Sequence, residues 1–341
     1  MNVGPLVSGL LLLAAGIVLL VTGGRFLVDG SVSLATRLGV PPLLVGLTVV
    51  AWGTSSPELA FNTTSALAGS GELVFGNVIG ANICNMGFIL GVSALIRALK
   101  VSDDLVGREI PFMVALFMVT AGLVYLPVVL GGTGAGIMWW GGVGLLALFV
   151  GHTTLLVRHS LGERSAHLAL ESEAEAEARR HAGAGVGRAL VLVVAGLVLL
   201  GVGGWLGSDG AVRLAEGLGI PKVIVGLTVV SLGTTLPELT ASVIATRRGH
   251  VDIAIGNVVG SCTFNIMLIH GLSSVLGSTP VGTAEAVAPL AWMVLMGALI
   301  VPFSRTNGRS VARIEGGVLL GVYVLFLGYQ VFDALRAGRA G

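Results

Sequence analysis

The sequence predicts an all-α, polytopic membrane protein in which ten transmembrane helices form two inverted repeats of five helices. Three observations predict this fold class. Of the 341 residues, 54% are hydrophobic and only 11% are charged, whereas about a quarter of the residues of a soluble domain are charged. Apolar runs long enough to cross a bilayer recur along the chain. Two motifs from the first half of the chain return in its second half.

Ten apolar runs are the predicted spans. A helix of about 20 apolar residues crosses the hydrocarbon core of a bilayer, which is about 30 Å thick. Helices are favoured over a membrane barrel because a helix satisfies its backbone polar groups within one segment, and because the alternating pattern of barrel strands is absent. The predicted spans, numbered one to ten, lie near residues 5–25, 40–66, 73–96, 110–130, 137–157, 189–207, 220–246, 253–276, 284–303 and 313–332.

The basic residues predict the orientation of these spans. The loops that follow spans one, three, five, seven and nine carry 15 of the 19 Lys and Arg residues. Basic residues concentrate on the cytoplasmic side of membrane proteins, so these loops are predicted to be cytoplasmic and both termini to lie outside. We therefore expect a multi-pass, integral protein of the cell (inner) membrane with a cytoplasmic loop at 158–188.

Two motifs occur twice, at a constant offset of 180 residues. The segment VGLTVVAWGTSSPEL at 45–59 returns as VGLTVVSLGTTLPEL at 225–239, and GNVIGANICN at 76–85 returns as GNVVGSCTFN at 256–265. The chain is therefore a duplication. The predicted parts are a first five-helix repeat at 1–157 with its motifs at about 45–90, a connector at 158–188, and a second five-helix repeat at 189–341 with its motifs at about 225–270.

The odd number of spans in each repeat indicates a transporter. Five crossings make the second repeat enter the membrane from the side opposite to the first. Inverted repeats of this kind place a substrate site near the bilayer midplane, between the repeats and on interrupted helices.

A proline interrupts spans two and seven at equivalent positions. Pro57 and Pro237 have no N–H to donate, and their rings crowd the carbonyl groups four residues earlier. The carbonyl groups around 51–54 and 231–234 are therefore expected to lose their helical partners. Unpartnered polar groups are costly in lipid, and a bound cation is an effective partner for such oxygens.

A glutamate follows each proline, and these two are the only carboxylates well inside the predicted spans. Glu58 and Glu238 occupy equivalent positions, so we expect them to face each other across the pseudo-twofold axis. Together with the freed carbonyls and nearby hydroxyls they form an all-oxygen cage, and Ca²⁺ prefers about 6–8 oxygen ligands. Without a cation the two carboxylates hold a proton between them. The hydroxyl residues are Thr54, Ser55, Ser56, Thr234 and Thr235.

The segments GTSSPEL/GTTLPEL and GNVIGANICN/GNVVGSCTFN resemble the two α-repeats of the sodium/calcium exchangers, within the calcium/cation antiporter superfamily. The resemblance covers the ten-span plan and about 45 residues of each half. It implies antiport of Ca²⁺ against Na⁺ by alternating access, in which spans one and six slide against a core of the other eight.

The resemblance also implies roles for individual residues. Glu58 and Glu238 correspond to central Ca²⁺ ligands that Na⁺ shares, and the carbonyl groups of Thr54 and Thr234 complete the Ca²⁺ shell. The other positions that match the site are the hydroxyls of Ser55, Thr235 and Ser261, the carbonyls of Ala51 and Ser231 at flanking Na⁺ sites, and the central positions Asn85 and Asn265.

Two departures from the family pattern concern Na⁺. Asn265 stands where prokaryotic members commonly have an aspartate, and Ala81 stands where they commonly have a serine that helps one flanking Na⁺ site. The centre therefore carries two formal charges instead of three, and one Na⁺ site lacks a hydroxyl. The Na⁺ stoichiometry stays open. Ca²⁺/H⁺ exchange remains the alternative because protons compete for the same glutamates, although the GNAxE signature of proton-coupled relatives is absent.

Other classes of function have less support in the sequence. A channel usually has its pore on an axis along the membrane normal, which inverted repeats disfavour. An intramembrane hydrolase needs a catalytic aspartate, serine or metal-binding histidine motif, and ATP-driven transport needs a P-loop; the sequence has neither. We expect no enzyme activity and no cofactor. The expected partners are Ca²⁺ and Na⁺, with H⁺ as the alternative, and the lipid bilayer; we expect no nucleic acid and no obligate protein partner.

The asparagines of the motifs have a simpler interpretation as well. Asn85 and Asn265 are also suited to bonding between helices, because amide side chains commonly link membrane helices. Asn77 and Asn257 are expected to be structural rather than ligating.

Other polar residues are expected to play structural roles. Asp29 and Asp209 lie near predicted span ends and are expected to cap the segments that follow. His270 and the two cysteines, Cys84 and Cys262, are expected to be core residues.

Overall fold

Long helices make up most of the structure, a computed structural model that describes residues 3–132, 134–170, 185–217, 231–277 and 279–337. Within these described ranges, eight helices are long and apolar enough to cross a membrane without a break. The predicted all-α, polytopic fold is confirmed. The unbroken helices are Val3–Leu38, Gly71–Ile96, Leu105–Val129, Trp139–Leu170, Val186–Gly217, Val251–Leu276, Thr283–Phe303 and Arg313–Ala337.

Span two is a bent pair of helices, as the proline predicts. Pro42–Thr54 and Ser56–Leu67 meet at 48°. Together they are long and apolar enough to form a ninth span within the described residues. Span seven repeats the break with the short helix Ser231–Thr234 followed by Leu236–Arg247. Residues 218–230, which include the start of predicted span seven, lie outside the described residues.

Two short β-ribbons join the repeats. β1 (Leu99–Lys100) follows span three and pairs antiparallel with β4 (Ser310–Val311), which precedes span ten. β2 (Ala135–Ile137) precedes span five and pairs antiparallel with β3 (Thr279–Val281), which follows span eight. Paired strands lie on the same side of the membrane, so the chain must cross an even number of times between them. The predicted span order meets this condition for both ribbons.

Spans one and six are longer than their apolar runs. The runs near 5–25 and 189–207 lie within the helices Val3–Leu38 and Val186–Gly217. Hydropathy marks the part of a helix that suits lipid. The helix continues beyond that part because its backbone groups go on bonding within the segment.

Because spans one and six continue as helices beyond their apolar runs, the capping prediction for Asp29 and Asp209 is wrong. Both residues lie inside the long helices instead of before new segments. Asp29 accepts a hydrogen bond from Arg248, at the end of span seven, and Asp209 accepts one of 2.9 Å from Arg213, one turn along its own helix. Each carboxylate therefore has a basic partner instead of backbone N–H groups.

Spans one and six pack closely against each other through glycines spaced seven residues apart. A Cβ added at Gly16 would lie 2.5 Å from the amide nitrogen of Gly207, so the two backbones are in contact there. Helices without side chains at the interface can approach in this way. Besides Gly207, the glycines spaced seven residues apart in this contact are Gly9, Gly16, Gly23 and Gly30 on span one and Gly196, Gly203 and Gly210 on span six.

The predicted connector at 158–188 overlaps two helices. Span five continues to Leu170, and span six begins at Val186. Residues 171–184, which hold most of its alternating charges, lie outside the described residues.

Spans three and eight form the centre of the fold. In the most apolar stretch of each helix, 72% of the residues of Gly71–Ile96 and 94% of those of Val251–Leu276 are buried. The corresponding share is 22–33% for the other unbroken spans. His270 is fully buried in span eight with its ring edge-on to Phe75, in keeping with the expected core position. The motifs on these two spans therefore lie in the interior, where lipid does not reach.

Candidate cation-binding site

The two helix breaks have the same local geometry. Ser55 separates the halves of span two with φ −84° and ψ 9°, and Thr235 separates those of span seven with φ −89° and ψ 3°. This bridge conformation lies between the helical and extended regions and is sparsely populated. In each case a proline stands at the second residue of the next helix, where a missing N–H is tolerated.

One expected consequence of the proline is wrong for Ala51. Its carbonyl keeps a helical partner, accepting the Ser55 N–H at 3.0 Å and also the Thr54 hydroxyl at 3.3 Å. The turn before the break still closes because the proline removes an N–H two residues after Ser55, not the N–H of Ser55 itself.

Glu58 and Glu238 lie in the first turn of the helices that follow the breaks, and each is only 1% exposed. Ser55, three residues before Glu58, bonds to Glu238 and so brings the two broken helices together. Within the described part of the chain, both Glu58 oxygens and Glu238 Oε2 are buried without a hydrogen-bond partner. Buried charges require a counter-charge, so this pair is suited to bind a cation. Thr234 also lies near Glu58.

The hydroxyl groups of one flank lie together around Glu238. Ser55 Oγ donates to Glu238 Oε1 at 2.8 Å, and Ser261 Oγ lies 3.1 Å from Ser55 Oγ. All three side chains are buried. Residues from both repeats thus supply one cluster of oxygens, as the predicted placement between the repeats requires.

The mirror-related flank is different. Thr235, the equivalent of Ser55, lies 3.4 Å from the thiol of Cys84. The equivalent of Ser261 is Ala81, whose side chain has no oxygen to offer. Cys84, predicted to be an ordinary core residue, is buried but contacts a site residue. One flank therefore has two hydroxyls and the other has one hydroxyl beside a thiol.

Asn85 and Asn265 each begin a π-helical turn in the middle of spans three and eight. These turns are Asn85–Ile89 and Asn265–His270. Such bulges are rare and occur frequently at functional sites. Asn265 Nδ2 donates a hydrogen bond of 3.4 Å to Asn82 Oδ1, so Asn82 is a neighbour of Asn265 that the motif analysis missed.

The side-chain oxygens of these two asparagines are available to a ligand. Asn85 Oδ1 and Asn265 Oδ1 are buried, and the described residues offer neither of them a hydrogen bond. A buried amide oxygen without a donor is unusual in a folded protein. In the described structure, spans three and eight therefore also carry buried side-chain oxygens without a hydrogen-bond partner, as Glu58 does.

Of the remaining predicted residues, Thr54 and Ser231 lie on the helices before the breaks. Thr54 is buried and ends Pro42–Thr54, and Ser231 begins Ser231–Thr234. Asn62, which the sequence analysis did not single out, donates to the Glu58 carbonyl and to Asn77 Oδ1, both at 2.7 Å. It lies one turn after Glu58, on the same face of the helix, and that spacing is the signal that could have found it.

Comparison with known proteins agrees with this geometry. The family model described as "Sodium/calcium exchanger protein" matches residues 8–158 and 188–332, which is nearly the whole chain. The chain belongs to the sodium/calcium exchanger family. As a member it is a multi-pass membrane protein and a secondary cation/Ca²⁺ antiporter rather than an enzyme, and its ions are substrates rather than cofactors.

Relatives in this family match the chain end to end. Sodium/calcium exchanger MaX1 of Methanosarcina acetivorans is 33% identical over 93% of this chain and 97% of the relative. Putative antiporter CaxA of Alkalimonas amylolytica is 31% identical over 92% and 95%. The solved sodium/calcium exchanger of Methanococcus jannaschii has a TM-score of 0.79 and 28% identity, covering 95% of this chain and 98% of that one. The exchanger fold is thus shared over 95% of the chain.

Proposed function

We propose that this exchanger moves Ca²⁺ against Na⁺ by alternating access, with both ions binding at the midplane between the repeats. The observation that carries the proposal is the pair of buried glutamates, three of whose four oxygens have no hydrogen-bond partner in the described structure. Two carboxylates balance one Ca²⁺, and hard cations prefer oxygen ligands.

The proposed ligands follow the predicted set. Glu58 and Glu238 bind Ca²⁺ directly, and the buried side-chain oxygens of Asn85 and Asn265, which have no hydrogen-bond partner in the described structure, are further proposed ligands. The other proposed contributors are the carbonyls of Thr54, Thr234, Ala51 and Ser231 and the hydroxyls of Ser55, Thr235 and Ser261.

Na⁺ is the proposed coupling ion because of the relatives that this chain resembles. MaX1 is named a sodium/calcium exchanger, and a structure of the similar NCX_Mj protein was obtained with 10 mM Na⁺ and 10 mM Sr²⁺. H⁺ is the second candidate because Asn265 leaves the centre without a third carboxylate, which makes the site less anionic than the common family pattern.

Ca²⁺ flux in proteoliposomes tests the proposal. A Na⁺ gradient and a pH gradient are imposed separately on vesicles that contain the purified protein, and uptake of ⁴⁵Ca²⁺ is measured. We expect uptake to follow the Na⁺ gradient. Uptake that follows only the pH gradient would establish the H⁺ alternative, and uptake that follows neither would overturn antiport.

The unequal flanks predict that fewer Na⁺ ions bind than at a symmetric site. We expect Ala81→Ser to supply the missing hydroxyl near Thr235 and to raise the apparent Na⁺ affinity about fivefold, the effect of one added polar contact of about 1 kcal/mol. Na⁺ dependence of ⁴⁵Ca²⁺ uptake measures this. Ala286→Ser, at a buried position of span nine, is the matched control and should leave the Na⁺ dependence unchanged. An unchanged Na⁺ affinity in Ala81→Ser would contradict the assignment of this flank.

We also propose that the loop at 158–188 is cytoplasmic, that both termini are outside and that the protein resides in the inner membrane. The excess of Lys and Arg on one set of loops supports this orientation. A Ser172→Cys variant should react with a membrane-impermeant thiol reagent only after cells are permeabilised. Equal labelling of intact cells would reverse the orientation.

A further inference from the structure

Asn257 connects the two broken helices. Its side chain is fully buried in span eight. Its Oδ1 accepts a hydrogen bond of 3.2 Å from Thr54 Oγ1, at the break of span two. Its Nδ2 donates to the Glu238 carbonyl at 3.3 Å and to Ser242 Oγ at 2.9 Å, both just after the break of span seven. One amide group therefore bonds to elements of both repeats.

The repeat-equivalent residue Asn77 has a bond within its own repeat. It accepts a hydrogen bond of 2.7 Å from Asn62, and Asn62 also donates to the Glu58 carbonyl. All three residues belong to the first repeat. The bonds of Asn257, in contrast, join the two repeats.

The helix that carries Asn257 is held firmly against span two. A Cβ added at Gly260 would lie 2.5 Å from the Leu47 carbonyl oxygen and 2.8 Å from the Ala51 side chain. One turn after Asn257, Ser261 lies 3.1 Å from Ser55. A side chain on such a rigid support can set the position of the groups that it bonds.

We propose that Asn257 is a positioning residue that sets the distance between Thr54 and Glu238, and thereby the size of the divalent cation that the site prefers. The proposal rests on the proposed function, in which these two residues supply Ca²⁺ ligands. Discrimination between divalent cations depends on cavity size, ligand number and the rigidity of the site. Removing the bridge leaves the hydrogen bond between Ser55 and Glu238 as the described link at this point and allows the two helix ends to move further apart, which favours a larger ion such as Sr²⁺ relative to Ca²⁺.

Equilibrium binding of Ca²⁺ and Sr²⁺ to the purified full-length protein tests this proposal. We expect Asn257→Ala to weaken Ca²⁺ binding about tenfold, since it removes up to three hydrogen bonds, and to weaken Sr²⁺ binding much less. The ratio of Ca²⁺ to Sr²⁺ affinity should fall severalfold. Asn77→Ala is the matched control, because it removes the half-buried amide at the equivalent position, whose bond to Asn62 lies within one repeat, and its ratio should stay within about twofold of the unaltered protein.

Thr54→Val removes the same bridge from its other end and keeps the Thr54 carbonyl. It should lower the affinity ratio in the same direction, and the double variant with Asn257→Ala should add little, because both changes break one connection. Thr54→Val also provides the test should Asn257→Ala not fold.

The outcomes separate this proposal from the proposed function. Ca²⁺ and Sr²⁺ affinities that fall by the same factor, or a ratio that changes equally in Asn77→Ala, would overturn the positioning role. A normal ratio of Ca²⁺ to Sr²⁺ affinity in Asn257→Ala would overturn the positioning role alone. Absence of flux on either gradient in the unaltered protein would overturn antiport alone. No Ca²⁺ binding by the unaltered protein would overturn both.

Discussion

Replacing either Glu58 or Glu238 with glutamine is expected to abolish Ca²⁺ transport. Glutamine has nearly the same shape as glutamate but no charge, so each variant leaves one carboxylate to balance a divalent ion. Removing one partner of a buried charge interaction costs about 3–5 kcal/mol, which corresponds to a loss of Ca²⁺ affinity of more than about a hundredfold. We expect both single variants to fold, because the neutral amide is less costly to bury than an unbalanced carboxylate.

The measurement is ⁴⁵Ca²⁺ uptake into proteoliposomes, with size-exclusion chromatography as the check on folding. Glu72→Gln is the matched control, because Glu72 is an exposed carboxylate in the first turn of span three. It should transport like the unaltered protein. Transport at the normal rate by Glu58→Gln or Glu238→Gln would remove the site assignment.

A methyl group at Gly16 is expected to have the second largest effect, on stability. The added Cβ of Gly16→Ala would lie 2.5 Å from the Gly207 nitrogen and 2.8 Å from the Gly203 carbonyl oxygen. Backbone atoms cannot rotate away as a flexible side chain can, so spans one and six must separate. Overpacking of this kind costs about 1–3 kcal/mol. We expect a lower thermal unfolding temperature in detergent and slower exchange, because these are the two spans predicted to slide.

Gly201→Ala is the matched control for this prediction. Gly201 lies on span six, but an added Cβ there meets nothing within 4 Å. Alanine favours the helix over glycine by about 1 kcal/mol, so this variant should be at least as stable as the unaltered protein. If Gly16→Ala had the same unfolding temperature as Gly201→Ala, the close contact between the two spans would be refuted.

Local chemistry explains how much of the site could be predicted from the sequence. Pro57 and Pro237 interrupt helices wherever the surrounding fold places them, because a proline has no N–H. The interruption of spans two and seven is predicted for that reason, and the structure confirms it with breaks at Ser55 and Thr235. The constant offset of 180 residues made Glu58 and Glu238 equivalents, and a buried charge in an apolar span has few uses other than binding.

The ends of the helices could be predicted less well from the sequence. Hydropathy reports which residues tolerate lipid, whereas a helix ends where its backbone bonding ends. Spans one, five and six therefore run beyond their apolar stretches, and the capping role expected for Asp29 gave way to a hydrogen bond with Arg248. That bond joins residues more than two hundred positions apart, which no local pattern encodes.

By itself, the sequence determined the membrane environment, the duplication, the two breaks and the pair of glutamates. Each of these follows from the chemistry of a short segment or from its recurrence. Only the tertiary structure decided which repeat supplies which contact: Ser55 bonds to Glu238, Thr235 contacts Cys84, and Asn257 bonds to Thr54. The physical reason is that a repeat establishes which residues are equivalent, whereas contacts between repeats depend on how two rigid, imperfectly matched helix surfaces pack.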